Sequence, residues 1–221
     1  AGEGKGNTVA FGSTRSLNVI GTPIFANAAF PPLDDQFASS EPLVIGPDTR
    51  TPYLAPSFFN VSGMSYGAIS KPAVQALSRG AKEASIWLNT GEGGLSPFHL
   101  EGGCDVVFQI GTAKYGVRDG QGGMSDDKLR NAAAHESVRM FELKLAQGAK
   151  PGKGGILPGA KVTAEIAEIR GIPEGGDSLS PNRHLEIDDW GDLLDFVTRM
   201  REVTGKPVGI TRHQARAGAA R

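Results

Sequence analysis

The chain has 221 residues, 39% hydrophobic and 21% charged, with a formal net charge of -1. That is the composition of a globular α/β domain, and the balanced charge gives no support for a nucleic-acid or membrane-surface partner. The one cysteine, Cys104, excludes an intramolecular disulfide framework and any thiolate-ligated zinc or iron–sulfur cluster held by this chain alone. No apolar run has the length of a membrane span and no signal-peptide pattern opens the chain, so the expected setting is cytoplasmic. Thirty-one glycines are about twice the usual share. The excess belongs to loops, without a collagen-like period.

Residues 1–56 show no long periodic segment, and Pro23, Pro31, Pro32, Pro42, Pro47, Pro52 and Pro56 interrupt any helix. This part reads as an irregular lead-in with short strands, its Phe25, Phe30, Leu33 and Phe37 packing on a following domain. A compact strand is expected at 57–61, running into Ser62-Gly-Met-Ser-Tyr-Gly67. Ser70 is a good N-cap, Pro72 suits a first turn, and Ala73, Val74, Leu77, Ala81 and Ala84 share a face, which predicts a helix over about 71–84. Further strands are expected at 86–88 and 106–110, ending respectively at Asn89-Thr-Gly-Glu-Gly-Gly94 and Gly111-Thr-Ala-Lys114. Ser125 with Asp126 and Asp127 opens a helix that should run to about Arg139.

The alternation of Phe141, Leu143 and Leu145 with Glu142 and Lys144 predicts a strand over 140–146. It leads into 147–161, QGAKPGKGGILPGAK, with five glycines, two prolines and the cations Lys150 and Lys153. Glycines let a backbone approach a ligand closely, and the two prolines stiffen the entry and exit. Thr163 caps a short helix to Arg170, Asp188 or Asp189 starts another, and 207–210 reads as a fifth strand. The final residues 211–221 change style, and read as a mobile terminus, a cloning remnant or a frame-shifted stretch.

Strand, glycine-rich loop and helix repeat along the chain, which argues for parallel βαβ units with ligands at the carboxyl ends of the strands. With no G-x-G-x-x-G after the first strand, the expectation is an α/β fold of the (β/α)8 TIM-barrel type. It would be incomplete, with about five of the eight strands within 57–210.

Five stretches then carry a likeness: SGMSYGAIS (62–70), NTGEGG (89–94), FQIGTAKYGV (108–117), QGAKPGKGGILPGAKV (147–162) and SPNRHLEIDDWGDLL (180–194). Together, in this order and spacing, they resemble the FMN-binding domain of glutamate synthase. In particular they resemble the glutamate-synthase-like FMN proteins in which SPNRH stands for SPPPHHDI. The resemblance implies an oxidoreductase acting on CH–NH2 donors, in which a hydride leaves reduced FMN and adds to the imine of 2-oxoglutarate and ammonia. It places Gly63, Met64 and Ser65 against the flavin, Thr90 and Gln109 near its ring, and Lys150 beside flavin and substrate as a catalytic cation. It also places Glu92 as the acidic group beside the substrate and Arg170 on a carboxylate of the oxo acid, a task suited to its planar fork.

Three departures accompany it. Ile156 occupies the substrate position of a family glutamine, and Lys114 stands for an arginine, keeping the charge but not the fork. The loops that hold the flavin phosphate, and the cysteines of the family's iron–sulfur cluster, belong to sequence beyond residue 210. This chain alone is therefore expected to hold FMN weakly and no cluster.

Taken without the resemblance, Glu92 and Lys150 are loop charges, His184 a hydrogen-bonding turn residue, and Arg170 a cation suited to a helix end. Cys104 has no partner for nucleophilic chemistry, and His99 and His135 lack metal-ligand spacing. No metal is expected. Two function classes stand: the front part of an FMN-dependent oxidoreductase, or an incomplete non-catalytic fragment. A hydroxy-acid-oxidase-like FMN barrel is a third. The expected partner is a small oxo or amino acid, with an electron-donor protein or a second copy as further candidates.

Overall fold

Four strands form the centre of the protein, all parallel and in chain order: β3 (Leu88–Asn89), β4 (Val106–Ile110), β5 (Val138–Lys144) and β8 (Val208–Thr211). The computed structural model describes residues 20–21, 29–31, 33–36, 41–146 and 154–212. The chain divides into two compact units, Ala1–Glu41 and Pro42–Arg221. In the first, the described residues include one 3-10 turn, Asp34–Gln36, and Phe30 and Leu33 are exposed. Phe25 and Phe37 lie outside the described residues.

The second unit opens with an antiparallel hairpin, β1 (Leu43–Ile45) and β2 (Tyr53–Ala55). These are two of the short strands anticipated in the lead-in, and they belong with the residues that follow them. The remaining elements are α1 (Lys71–Glu83), α2 (Pro97–Leu100), α3 (Asp126–Ala134), β6 (Ile156–Leu157), a 3-10 turn (Gly159–Lys161), α4 (Ala164–Arg170), β7 (Ser178–Leu179) and α5 (Trp190–Thr204). None of the described helices is long and apolar enough to cross a membrane.

β4 is buried at all five positions, as a parallel strand covered on both faces must be. The two faces have different partners. Leu88, Val106, Phe108, Ile110, Phe141 and Leu143 meet Ala81 of α1, Leu129 and Ala132 of α3, and Leu193, Phe196 and Met200 of α5. All three long helices thus cover one face. On the other, Val107 and Met140 pack with Tyr53 and Ala55 of the hairpin, joined by Ile45 and Trp87. The hairpin covers the apolar end of that face. Its carboxyl end carries Asn89, Gln109, Glu142 and Lys144 instead.

Three elements depart from the sequence reading, each for a local reason. The strand expected at 57–61 reduces to a parallel bridge between Val61 and Leu88. Asn60 competes with the ladder, donating to the Ser57 carbonyl at 2.8 Å and accepting from the Trp87 amide at 3.0 Å, while Ser57 Oγ accepts from Phe59 N. Phe58 and Phe59 are left exposed. α3 ends at Ala134 rather than about Arg139, and β5 begins at Val138. The signal that ends α3 comes from far along the chain: Lys206 Nζ donates to the carbonyls of Ala133 (2.6 Å), His135 (3.2 Å) and Val138. A cation there satisfies carbonyls that a helix end leaves open. Third, Ile156–Leu157 and Ser178–Leu179 form a two-stranded antiparallel pair. Runs of two residues have no period to read. Thr211 joins β8, and residues 213–221 lie outside the described residues.

Two buried histidines hold the loops together. Ser96 N donates to His99 Nδ1 at 3.1 Å, so the proton sits on Nε2, which donates to the Met64 carbonyl at 2.8 Å. His184 Nε2 pairs with the Lys144 carbonyl at 2.9 Å and its ring lies against Phe196. Burial is the largest influence on both and lowers both pKa values, favouring the neutral imidazole.

Two predictions follow from these contacts. Lys206→Met should lower stability by about 1 kcal/mol, the cost of leaving partly buried carbonyls without their donor, whereas Arg201→Met, on the exposed side of α5, should change stability in urea titration by less than about 0.5 kcal/mol. Stability should also be flat above about pH 7 and fall as pH drops below the ordinary histidine value of about 6.5, because the unfolded chain takes up protons that the folded chain refuses. The slope should reach up to about 1.4 kcal/mol per pH unit for each histidine. Urea titrations from pH 8 to 5 should show it, shallower in His184→Gln.

Candidate functional site

Three loops converge over the polar end of the sheet: 62–67 after the Val61 bridge, 90–94 after β3, and 111–117 after β4. Their backbones approach too closely for side chains. A Cβ on Gly63 would lie 3.1 Å from Gly91 Cα and 3.4 Å from both Asn89 Oδ1 and Gln109 Oε1. Gly91 has φ +64, and a Cβ there would meet Ser65 Oγ at 2.5 Å and Ser65 N at 2.7 Å. Glycine is required at 91 by both conformation and space. Met64 N donates to the Asn89 carbonyl at 3.0 Å, which fixes the first loop to β3, and His99 holds the same residue's carbonyl.

Beneath the loops the polar side chains are paired. Thr90 is fully buried, its hydroxyl donating to the Gly91 carbonyl (2.8 Å) and accepting from Gln109 N (3.0 Å). Its hydroxyl thus ties two strands together below the surface of the site. Asn89 Nδ2 and Gln109 Nε2 both donate to Glu142 Oε1, the first at 3.0 Å. Glu92 projects past Gly111, where a Cβ would be 2.7 Å from its Oε2, and that same oxygen lies 3.4 Å from Lys144 Nζ.

Arg170, the last residue of α4, turns inward and is only 5% exposed. Its Nη1 donates to Ser178 Oγ at 3.0 Å, Ser178 donates to the Tyr115 hydroxyl at 2.7 Å, and Tyr115 donates to the Leu179 carbonyl at 3.0 Å. The guanidinium stacks on the Tyr115 ring, 4.9 Å from its centroid. Burial lowers its pKa, while Tyr115 and Glu92 oppose that shift. Its Nε is buried and has no hydrogen-bond partner among the described residues. An orphaned charged donor of this kind is costly unless a ligand satisfies it.

Arg170, Glu92, Ser65, Ile156, Ser178 and Ser180 line one cavity of about 80 Å3. That volume suits a carboxylate-sized group rather than a ring system. Four residues expected from sequence therefore meet here: Ser65, Glu92, Ile156 and Arg170. Ile156 lies on β6, 54% exposed, so it forms the rim rather than the floor. Gly63, Met64, Thr90 and Gln109 form a second cluster on the sheet side. Lys150 lies outside the described residues. No group of three histidine, cysteine or acidic residues placed to hold a metal occurs among the described residues.

The segment 178–187 closes the site from above. Thr112 Oγ1 donates to the Pro181 carbonyl at 2.6 Å, Lys114 Nζ pairs with Glu186 at 2.9 Å, and Ser180 N donates to the Gly155 carbonyl at 2.9 Å. Lys114 is 1% exposed with φ 53, so the residue standing for a family arginine is a buried tether. A Cβ on Gly154 would fall 1.4 Å from the Ser180 carbonyl oxygen, which explains one glycine of the 147–161 run. Sequence reasoning missed His99, Tyr115, Glu142 and Ser178. Only His99 left a local trace, in the Ser96-Pro-Phe-His99 spacing of a capping box.

Known proteins match this chain over most of its length. It is 44% identical over 169 residues to the glutamate synthase large subunit-like protein YerD of Bacillus subtilis, covering 76% of this chain and 32% of that protein. It is 40% identical over 151 residues to the archaeal-type glutamate synthase [NADPH] of Thermotoga maritima, covering 67% of this chain and 27% of the other. With the archaeal glutamate synthase [NADPH] of Methanocaldococcus jannaschii it shares 38% identity over 152 residues, 68% of this chain and 27% of the other. The chain thus spans about a third or less of the length of these relatives. The family model for the conserved region in glutamate synthase matches residues 36–216, and the chain belongs to the glutamate synthase family.

Proposed function

We propose that this chain forms the substrate-facing part of an FMN-dependent, glutamate-synthase-like oxidoreductase built on a (β/α)8 barrel. The reaction would move a hydride between reduced flavin and an oxo or imino acid. Two features support the barrel: strands that follow chain order without reversal, and long helices confined to one face. A doubly wound sheet reverses its order and carries helices on both faces. The family's NADPH-named relatives support NADPH as the ultimate electron source.

The observation that carries the reading is the buried Arg170 with its unpartnered Nε, in a cavity of carboxylate size that Glu92 also lines. Arg170 would bind the carboxylate next to the reacting carbon, its angle set by the Tyr115 ring and by Ser178. Glu92 would place its carboxylate near the substrate nitrogen and accept a hydrogen bond from it, its position set by Gly111 and Lys144. The segment 178–187 would exclude water.

The glycine backbone at Gly63, without a side chain, and the nearby acceptor Gln109 Oε1 fit the edge of a flat ring that carries a hydrogen-bond donor. Gly63, Met64, Ser65 and Gln109 would hold FMN there, with Thr90 bracing Gln109 from below and Lys150 contributing the nearby cation. When bound, FMN supplies the hydride.

In the full-length protein, Arg170→Lys should lower kcat/KM for the oxo acid about 10–100-fold, mainly through KM, with FMN content unchanged, since one charge-assisted hydrogen bond is worth about 1.5–3 kcal/mol. An unchanged KM would remove Arg170 from the substrate site. At the rim, Ile156 offers no polar partner to a distal carboxylate, so the preferred acceptor should be a monocarboxylate or an oxo acid with an apolar end. Ile156→Gln should shift kcat/KM toward 2-oxoglutarate by about tenfold, the equivalent of one recovered hydrogen bond. Flavin reoxidation with 2-oxoglutarate and ammonia against smaller or more apolar oxo acids checks this. If 2-oxoglutarate is already best and the substitution changes nothing, Ile156 does not set specificity.

A further inference from the structure

Glu142 stands in the middle of β5, in register with Gln109 on β4, on the face turned away from the helices. A carboxylate oxygen only accepts hydrogen bonds. Its Oε1 takes one from Asn89 Nδ2 at 3.0 Å and another from Gln109 Nε2. The amide nitrogens of both neighbours must therefore face Glu142, and their oxygens must face away from it. The Asn89 oxygen is used inside the protein, accepting from Gly91 N at 2.9 Å. The Gln109 oxygen is not: it receives no hydrogen bond from the described residues, and it points at the bare backbone of Gly63, 3.4 Å from where a Cβ would stand.

The backbone beneath Gln109 is equally constrained, because its amide N–H goes to the Thr90 hydroxyl. Gln109 is thus tied at its main-chain N–H by Thr90 and at its side chain by Glu142. An unrestrained glutamine would present either end of its amide to a ligand, at little difference in energy. With Glu142 in place, only one orientation keeps the nitrogen on the carboxylate. The reverse orientation would set the Gln109 oxygen against the Glu142 oxygen, two acceptors facing each other with no proton between them.

We propose that Glu142 is a positioning residue: it locks the Gln109 amide so that its carbonyl oxygen faces the ring site above Gly63, which then selects a ligand edge that carries an N–H. The inference rests on the flavin reading above, and FMN has such an edge. Glu142 itself does not touch the ring. It acts through Gln109, and the same contact sets Asn89, whose oxygen orders the Gly91 turn.

The test is a double-mutant cycle on FMN affinity in the full-length apoprotein, followed by flavin fluorescence quenching. Glu142→Leu, of similar size but with no acceptor, should raise the FMN dissociation constant about tenfold and alter the shape of the bound-flavin visible band. Gln109→Ala should weaken binding to a similar or greater extent. In the Gln109→Ala background, Glu142→Leu should then add less than about twofold. Effects that multiply would overturn the proposal, and so would an unchanged affinity in Glu142→Leu. Thermal midpoints of the apoproteins report folding. If Glu142→Leu does not fold, Glu142→Asp decides, because it keeps the charge but withdraws it from Gln109 and should show the same loss and the same non-additivity. Failure of the unmodified protein to bind FMN would overturn the flavin reading, and this proposal with it.

Discussion

The inner face of the parallel sheet changes character halfway along its strands, and the site depends on that change. In β4 and β5 the residues on this face run Val107 then Gln109, and Met140, Glu142 then Lys144. The apolar half is covered by Tyr53 and Ala55 of the hairpin. Burying the polar half in the same way would have cost several kcal/mol for each unpaired group. Instead Glu142 satisfies Asn89 and Gln109 laterally, and the glycine loops lie directly on them. The result is a polar floor that is rigid without being filled.

Arg170 reaches the site by a different route, from the end of α4 rather than from a strand. A guanidinium that is 5% exposed needs partners on every side, and most of them are present: the Tyr115 ring, the Ser178 hydroxyl and the nearby Glu92 charge. Its Nε is left without a partner among the described residues, and the residue also lines a small cavity. Such an arrangement stores a cost in the empty site that an anion would recover on binding, which is how preorganised sites gain affinity. The tethers from Thr112, Lys114 and Tyr115 hold the 178–187 segment against this side of the site.

Much of this was legible in the sequence where a signal is local. β4 lies where its apolar β-branched run places it, α1 follows its Ser70 and Pro72 start, and α4 follows its Thr163 cap. The glycines read as letting backbone approach a ligand; at Gly63, Gly91 and Gly154 what comes close is another part of the chain itself. What stayed hidden depends on partners distant in sequence. α3 stops where Lys206, about 70 residues later, captures its carbonyls. The first strand dissolves because Asn60 bonds to Trp87. Ser178 and Tyr115 become site residues because Arg170 bonds to the one and stacks on the other, and Glu142, which looked like the polar half of an alternating strand, holds two amides from two other strands. No pattern within a single strand reveals such a role.

The central claim is that Arg170 receives the substrate carboxylate while the Gly63 and Gln109 cluster receives the flavin ring. A crystal structure of the full-length protein with FMN and a bound 2-oxo acid tests it most directly. The account predicts the carboxylate within hydrogen-bonding distance of the Arg170 guanidinium, Glu92 beside the reacting carbon, and the ring edge on Gln109 Oε1. A carboxylate bound away from Arg170, or a ring lying away from Gly63, would contradict it.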